Sequence, residues 1–225
     1  MKINNKNIQR LKPHLDLFVE FQLIVDKYSI RTQVMTPDNA CFLSYYQEAE
    51  NEVEDEHSFV LSTNDFKKTL KSLGTKDTQV ELLDEGGRIS FINGNKKIGI
   101  PQFTKAPKVP NLEKLELDYY KVTIPTQELL DIEVVDQESY IDIILKENNI
   151  TFNSKNGMKI IQQTINTETN IQEPMSESFQ YKTFIKIIQS LKDEEELILF
   201  LKPNSPLSVA SKDGKIRYWL AGVTK

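Results

Sequence analysis

The chain is poor in the residues that most often carry chemistry. It holds one cysteine, two histidines and one tryptophan in 225 residues. One cysteine excludes an internal disulfide. Cys41 lies in the apolar run Ala40-Cys41-Phe42-Leu43, which reads as a buried thiol rather than a nucleophile. A reducing, intracellular compartment fits that usage. Neither His14 nor His57 has a Cys, Asp or Glu at metal-ligand spacing, so no metal site is expected. Glycine is also scarce, and none of the eight falls in a GxxxxGKS/T, GxGxxG or GxSxG pattern. The carboxylate run Asp193-Glu194-Glu195-Glu196 sits where a helix gives way to a strand and reads as solvent-facing. Without glycine loops or convergent titratable groups, the sequence points away from an enzyme and calls for no cofactor. No apolar run approaches the ~18 residues of a membrane-spanning helix. Met1 to Lys6 is not followed by the apolar stretch of a secretory signal, so a protein that is not secreted is expected. The net charge of -5 argues against coating nucleic acid by bulk charge.

What is present is mostly strand. Phe21 to Val25, Ile30 to Met35 and Ala40 to Tyr46 are rich in β-branched and aromatic residues. Gln79 to Leu83 and Arg88 to Ile92 flank the hairpin signal Asp84-Glu85-Gly86-Gly87, and Lys97 to Pro101 follows. The second half offers Tyr140 to Lys146, Ile150 to Asn153, Met158 to Thr164, Leu197 to Leu201, Leu207 to Val209 and Ile216 to Leu220. The acidic segment Glu48 to Glu56 reads as a solvated loop between strands. Helical spacing predicts four helices: Asn7 to Val19, bent or delayed by Pro13, then Ser62 to Leu73, Pro125 to Ile132 and Phe179 to Leu191.

The same unit recurs. Phe66-Lys67-Lys68-Thr69-Leu70-Lys71-Ser72-Leu73 is answered 118 residues later by Phe184-Ile185-Lys186-Ile187-Ile188-Gln189-Ser190-Leu191. The same offset carries Gln9-Arg10-Leu11 onto Gln127-Glu128-Leu129. Chance likeness between short Lys/Leu helices competes with duplication, but a fixed offset near half the chain favours two copies of one domain. Each copy reads as α+β, with two helices and one antiparallel sheet. The boundaries expected are 1–102 and 118–225, with 103–117 as an extended, proline-bearing connector.

Basic residues recur beside the apolar stripes of the helices. Arg10 and Lys12 flank Leu11; Lys67, Lys68 and Lys71 flank Phe66 and Leu70; Lys182 and Lys186 flank Phe184. Such faces can touch phosphates without reading sequence. Lysine is also common on any helix surface, so the pattern alone allows solvated faces equally.

Several separated segments together resemble the DNA sliding clamps of the PCNA family and, more distantly, the T-even phage clamps. Ser62 to Lys71 resembles the second helix of the first clamp domain. Asn156-Gly157 followed by Met158 to Thr164 is similar to the interface strand of the second. Pro206-Leu207-Ser208-Val209 with Gly214 to Ala221 resembles the final hairpin, and Met35 to Leu43 the strand and loop beneath the partner cleft. The resemblance implies a two-domain subunit with the clamp fold, closing head to tail into a trimeric ring around duplex DNA and holding a polymerase at the primer end. It implies a clamp-loader ATPase and other replication and repair proteins as partners.

Residue by residue, the resemblance places Arg10, Lys12, Lys67, Lys68, Lys71, Lys182 and Lys186 toward DNA. It places Met35, Asn39, Ala40, Leu115, Leu117, Pro206, Trp219, Leu220 and Ala221 in a cleft for partner peptides. It places Lys97, Ile98 and Ile100, with Met158, Ile160, Ile161 and Gln163, at the subunit interface. Two positions depart from the family. The third helix, Thr126 to Ile132, has no Lys or Arg, and Gly222 stands where proline is common. Other readings that fit the sequence are a subunit of a heterotrimeric ring, a monomeric processivity factor, and a β-rich adaptor that holds no DNA.

Overall fold

The computed structural model describes residues 1–74, 78–106, 109–110, 118–169, 171 and 173–223. Chain contacts divide it into two units. Unit one is Met1–Asp38 with Phe42–Val109, and unit two is Asn39–Cys41 with Pro110–Lys225.

Unit one runs β1 (Lys2–Asn4), α1 (Asn5–Leu11), a 3-10 turn (Lys12–Leu15), β2 (Glu20–Val25), β3 (Ser29–Met35), β4 (Cys41–Glu48), β5 (His57–Ser62), α2 (Thr63–Leu73), β6 (Gln79–Asp84), β7 (Arg88–Asn93) and β8 (Lys96–Phe103). Unit two repeats that order. It runs β9 (Tyr120–Pro125), α3 (Thr126–Leu130), β10 (Tyr140–Lys146), β11 (Asn149–Asn156), β12 (Lys159–Asn166), β13 (Met175–Gln180), α4 (Tyr181–Ser190), β14 (Glu196–Leu201), β15 (Leu207–Ser211) and β16 (Ile216–Leu220).

Sheet order repeats as well. Unit one contains the runs β1-β6-β7-β8 and β5-β2-β3-β4; unit two contains β9-β14-β15-β16 and β13-β10-β11-β12. Every strand pair within these runs that has a register is antiparallel. In unit one the two runs join where β5 meets β8, at Val60↔Phe103 and Leu61↔Gln102.

The helices form where capping and apolar spacing agree. Ser62 accepts a hydrogen bond from the Asp65 amide at 3.3 Å and starts α2. Gly74, at φ +78, ends it in a conformation that disfavours any residue with a Cβ. Phe66, Leu70 and Leu73 are buried along one face. In α4 the equivalent Phe184, Ile188 and Leu191 are buried too. Phe66 packs edge-on against Phe21 (ring centroids 4.9 Å) and Phe91 (6.0 Å), while Phe184 lies 6.1 Å from Phe152. Each such ring contributes about 2–3 kcal/mol by leaving water.

The first helix is shorter than its apolar spacing predicts. It closes at Leu11 and continues only as the tighter turn carrying Pro13, because proline has no amide to donate to an α-helical ladder. Four strands fall outside the expected set: β1, β5, β9 and β13.

Candidate nucleic-acid interface and partner surfaces

In unit one, two amides tie α1 to the end of α2. Gln9 Nε2 donates to the Leu70 carbonyl at 2.9 Å and to the Gly74 carbonyl at 2.8 Å. Asn5 Nδ2 donates to Gly74 at 2.9 Å. These bonds satisfy carbonyls that a helix end leaves orphaned, and they hold the two basic helices side by side. Arg10, Lys68 and Lys71 are exposed, and Lys12 and Lys67 half-buried. Lys67 is paired with Asp16. Burial holds the Lys67 ammonium below the usual lysine range, and the neighbouring charge of Lys12 adds to the effect. Two cations close enough to disfavour one another are stabilised by an anion, here the Asp16 carboxylate.

Unit two is different. Lys182 and Lys186 are exposed on α4, and Lys182 pairs with Glu138 at 2.6 Å. The α3 helix contributes Glu128 and no cation. Its Gln127, the counterpart of Gln9, donates to Asp131 in its own turn at 2.7 Å.

The expected interface residues lie on two strand edges. β12 is the outer strand of the run β12-β11-β10-β13. Its burial alternates, and Met158 beside it and Ile160 within it are 102% and 57% exposed. Ile161 and Gln163 are half-buried. β8 pairs with β7 along Lys96 to Pro101, but β5 reaches only Gln102 and Phe103 on its other side. Among the described residues of unit one, no strand pairs with that second edge over Lys96 to Pro101. Lys97 is bonded to Glu85 at 2.5 Å and Ile98 is half-buried. Ile100 is 5% exposed, so its side chain belongs to the core and only its backbone is available at the edge.

The expected cleft residues separate. Leu115 and Leu117 lie outside the described residues. Met35 ends β3 in unit one and is half-buried. In unit two, Ala221 N donates to the Ala40 carbonyl at 2.8 Å, which brings Ala40 and the exposed Asn39 beside the end of β16. Pro206 and Ala221 line a pocket of about 450 Å³ with Glu177, Ser178, Asn204 and Gly222.

Trp219 and Leu220, expected in the cleft, are instead core residues at 5% and 1% exposure. The end of β16 is covered on both faces, so the strand buries consecutive residues there and offers neither side chain to a ligand. The Arg217 guanidinium lies over the Phe200 and Trp219 rings, at 4.1 and 5.0 Å from their centroids.

Sequence reasoning missed Asp16, Glu138 and Glu177. Each acts on a residue distant in the chain, and no local pattern marks it. Among the described residues no cluster of His, Cys, Asp and Glu could hold a metal ion, and no helix is long and apolar enough to cross a membrane.

No protein-family model and no curated protein matches the sequence. Solved structures do. A protein assigned as a DNA polymerase III beta subunit in Eubacterium rectale superposes with a TM-score of 0.85 at 16% identity, over 100% of this chain and 65% of its own. A DnaN sliding clamp from Pseudomonas aeruginosa, bound to griselimycin, superposes with a TM-score of 0.84 at 14% identity, over 100% and 65%. The Proliferating Cellular Nuclear Antigen of Entamoeba histolytica superposes with a TM-score of 0.80 at 18% identity, over 99% and 98%. The chain thus spans about two-thirds of the length of the bacterial subunits. At these identities the likeness shows the fold, which is the two-domain sliding-clamp fold.

Proposed function

We propose that this chain is a DNA sliding clamp, a ring subunit that encircles duplex DNA and tethers a polymerase and other replication proteins to it. The observation that carries the reading is the pair of strand edges. β12 is an outer strand with Met158 and Ile160 exposed at its start, and β8 has an unpaired edge on the other unit. An exposed strand edge is a hazard unless another strand covers it. A β12 edge on one copy meeting a β8 edge on the next is a head-to-tail contact, and such contacts close into rings when the rotation allows.

The assembly proposed is that of a two-domain subunit, supported by the match over 98% of the Entamoeba protein's own chain. Three copies then make the ring. Exposed helix cations, Arg10, Lys68 and Lys71 among them, meet phosphates, whose contacts carry no sequence information and so permit sliding. The ring performs no bond chemistry. It raises the effective concentration of whatever is tied to it. Partner peptides dock at the unit-two pocket around Pro206 and Ala221, and opening the ring onto closed DNA calls for a loader ATPase.

The test is topological. After loading onto nicked circular DNA, the protein is expected to stay bound through a high-salt wash and to be lost when the circle is linearised. Loss from circular and linear DNA alike would sink the reading. Light scattering is expected to give about three times the 26.0 kDa subunit. A persistent monomer that assembles only with a co-purifying homologue would instead make this one subunit of a mixed ring.

A further inference from the structure

The two units share one fold yet carry unequal charge on their helices. The helical segments of unit one carry six basic residues, Lys6, Arg10, Lys12, Lys67, Lys68 and Lys71, against one acidic residue, Asp65, with Asp16 capping the 3-10 turn and paired to Lys67. The helices of unit two carry Lys182 and Lys186 against Glu128. Asp131, which caps α3, is exposed as well, and Glu138 takes up Lys182 at 2.6 Å.

The internal repeat makes the contrast sharper. At the 118-residue offset, Arg10 becomes Glu128, Lys12 becomes Leu130, Lys67 becomes Ile185 and Lys71 becomes Gln189. Of these five DNA-facing candidates in unit one only Lys68 keeps its charge, as Lys186. The apolar positions between them are kept: Leu11 and Leu129, Phe66 and Phe184, and Leu70 and Ile188 are all buried. The fold therefore does not dictate the charges.

Unit one also concentrates its cations. Lys67 and Lys71 are one helical turn apart, a spacing at which like charges repel. Lys12 acts on Lys67 from the neighbouring turn. The Asn5 and Gln9 hydrogen bonds to the end of α2 hold these groups together. Asp16 already pairs with Lys67; a duplex offers a continuous row of phosphates to the exposed Arg10, Lys68 and Lys71 around that pair.

We propose that the DNA backbone is held by unit one alone, through Arg10, Lys12, Lys68 and Lys71 around the pair of Lys67 with Asp16, and that the helical face of unit two adds no affinity. The proposal rests on the sliding-clamp reading. It makes each subunit grip the duplex on one of its two domains, so phosphate contacts recur once per subunit rather than once per domain.

Binding of the full chain to a short linear duplex of mixed sequence, followed by fluorescence anisotropy across a salt series, tests it. The slope of log affinity against log salt is expected to fall by about two in Lys68→Ala/Lys71→Ala, and by less than one in Lys182→Ala/Lys186→Ala. Glu128→Arg, which places in unit two the charge that unit one has at Arg10, is expected to steepen the slope by about one. A gain of this kind cannot come from misfolding. Equal losses in the two double variants, or no gain in Glu128→Arg, would overturn the proposal and leave the clamp reading standing. Wild-type binding without salt dependence would overturn the proposal, whereas loss from circular and linear DNA alike overturns the clamp reading.

Discussion

Gln9 and Leu70 are joined across two helices: the Gln9 amide donates to the Leu70 carbonyl at 2.9 Å, and to Gly74 at 2.8 Å. The Leu70 carbonyl belongs to the last turn of α2 and Gly74 is its C-cap, where the helix has no further amide to offer. Gln9→Ala leaves the Leu70 carbonyl without this donor, whereas Gly74 keeps Asn5. The expected cost is about 1–2 kcal/mol, seen as a melting temperature lower by a few degrees. Gln127→Ala, whose parent side chain bonds only within its own turn at 2.7 Å, is expected to cost less. Equal melting shifts would show that the α1–α2 tie is not stabilising.

Trp219→Ala is expected to act on stability before it acts on any partner. The ring is buried in unit two and stacked under Arg217, and its removal should cost about 3–5 kcal/mol. Chemical denaturation reads this directly. Ala221→Asp, on the rim of the pocket beside Pro206 and Glu177, is the better probe of partner docking. It is expected to weaken polymerase binding at unchanged subunit assembly; unaltered affinity would remove this pocket from the partner surface.

Ile160→Lys places a charge on the exposed face of the β12 edge. Charged residues on edge strands block pairing with other strands. Native mass is expected to fall to that of the 26.0 kDa subunit with the fold intact by circular dichroism. A ring that survives Ile160→Lys would place the subunit contact elsewhere.

Asp26 gives unit one a dependence on acid. Burial pushes its carboxyl up, but the Ser29 hydroxyl, the Tyr28 amide and Arg31 together hold it below the usual 3.8. Because the folded value lies below the unfolded one, its contribution is complete above 3.8 and is lost as pH falls through the folded value. Asp26→Asn is therefore expected to be less stable than the parent at neutral pH, with the difference closing in strong acid. A difference that stays constant with pH would contradict this.

The parts legible in the sequence are those fixed by local period and local caps. The stripes Phe66/Leu70/Leu73 and Phe184/Ile188/Leu191 are buried as their spacing predicts, and Gly86 and Gly87 turn the β6–β7 hairpin with positive φ. The two-domain fold followed from repeat and motif order together. The misses have physical causes. β9 and β13 alternate Val122, Ile124, Met175 and Phe179 with polar neighbours and fall short of an apolar run. β5 begins at His57, directly after the acidic stretch that hid it. Trp219 and Leu220 belonged to a motif associated with a surface, yet a strand covered on both faces buries its residues consecutively. Pairings such as Lys182 with Glu138 join residues far apart in the chain, where no spacing rule reaches.

The strand order carries a consequence for how the chain is made. β1 sits beside β6, with Ile3 opposite Val80, and β9 sits beside β14, with Val122 opposite Leu199. The opening strand of each unit therefore waits on the ribosome until most of its unit has emerged, because its partner is among the last pieces to appear. Pairings so distant in sequence slow folding, and an unpaired strand is exposed to its neighbours meanwhile. Since unit two replays the same delay, translation passes through two separate intervals of vulnerability, each ending only when β6 or β14 has emerged.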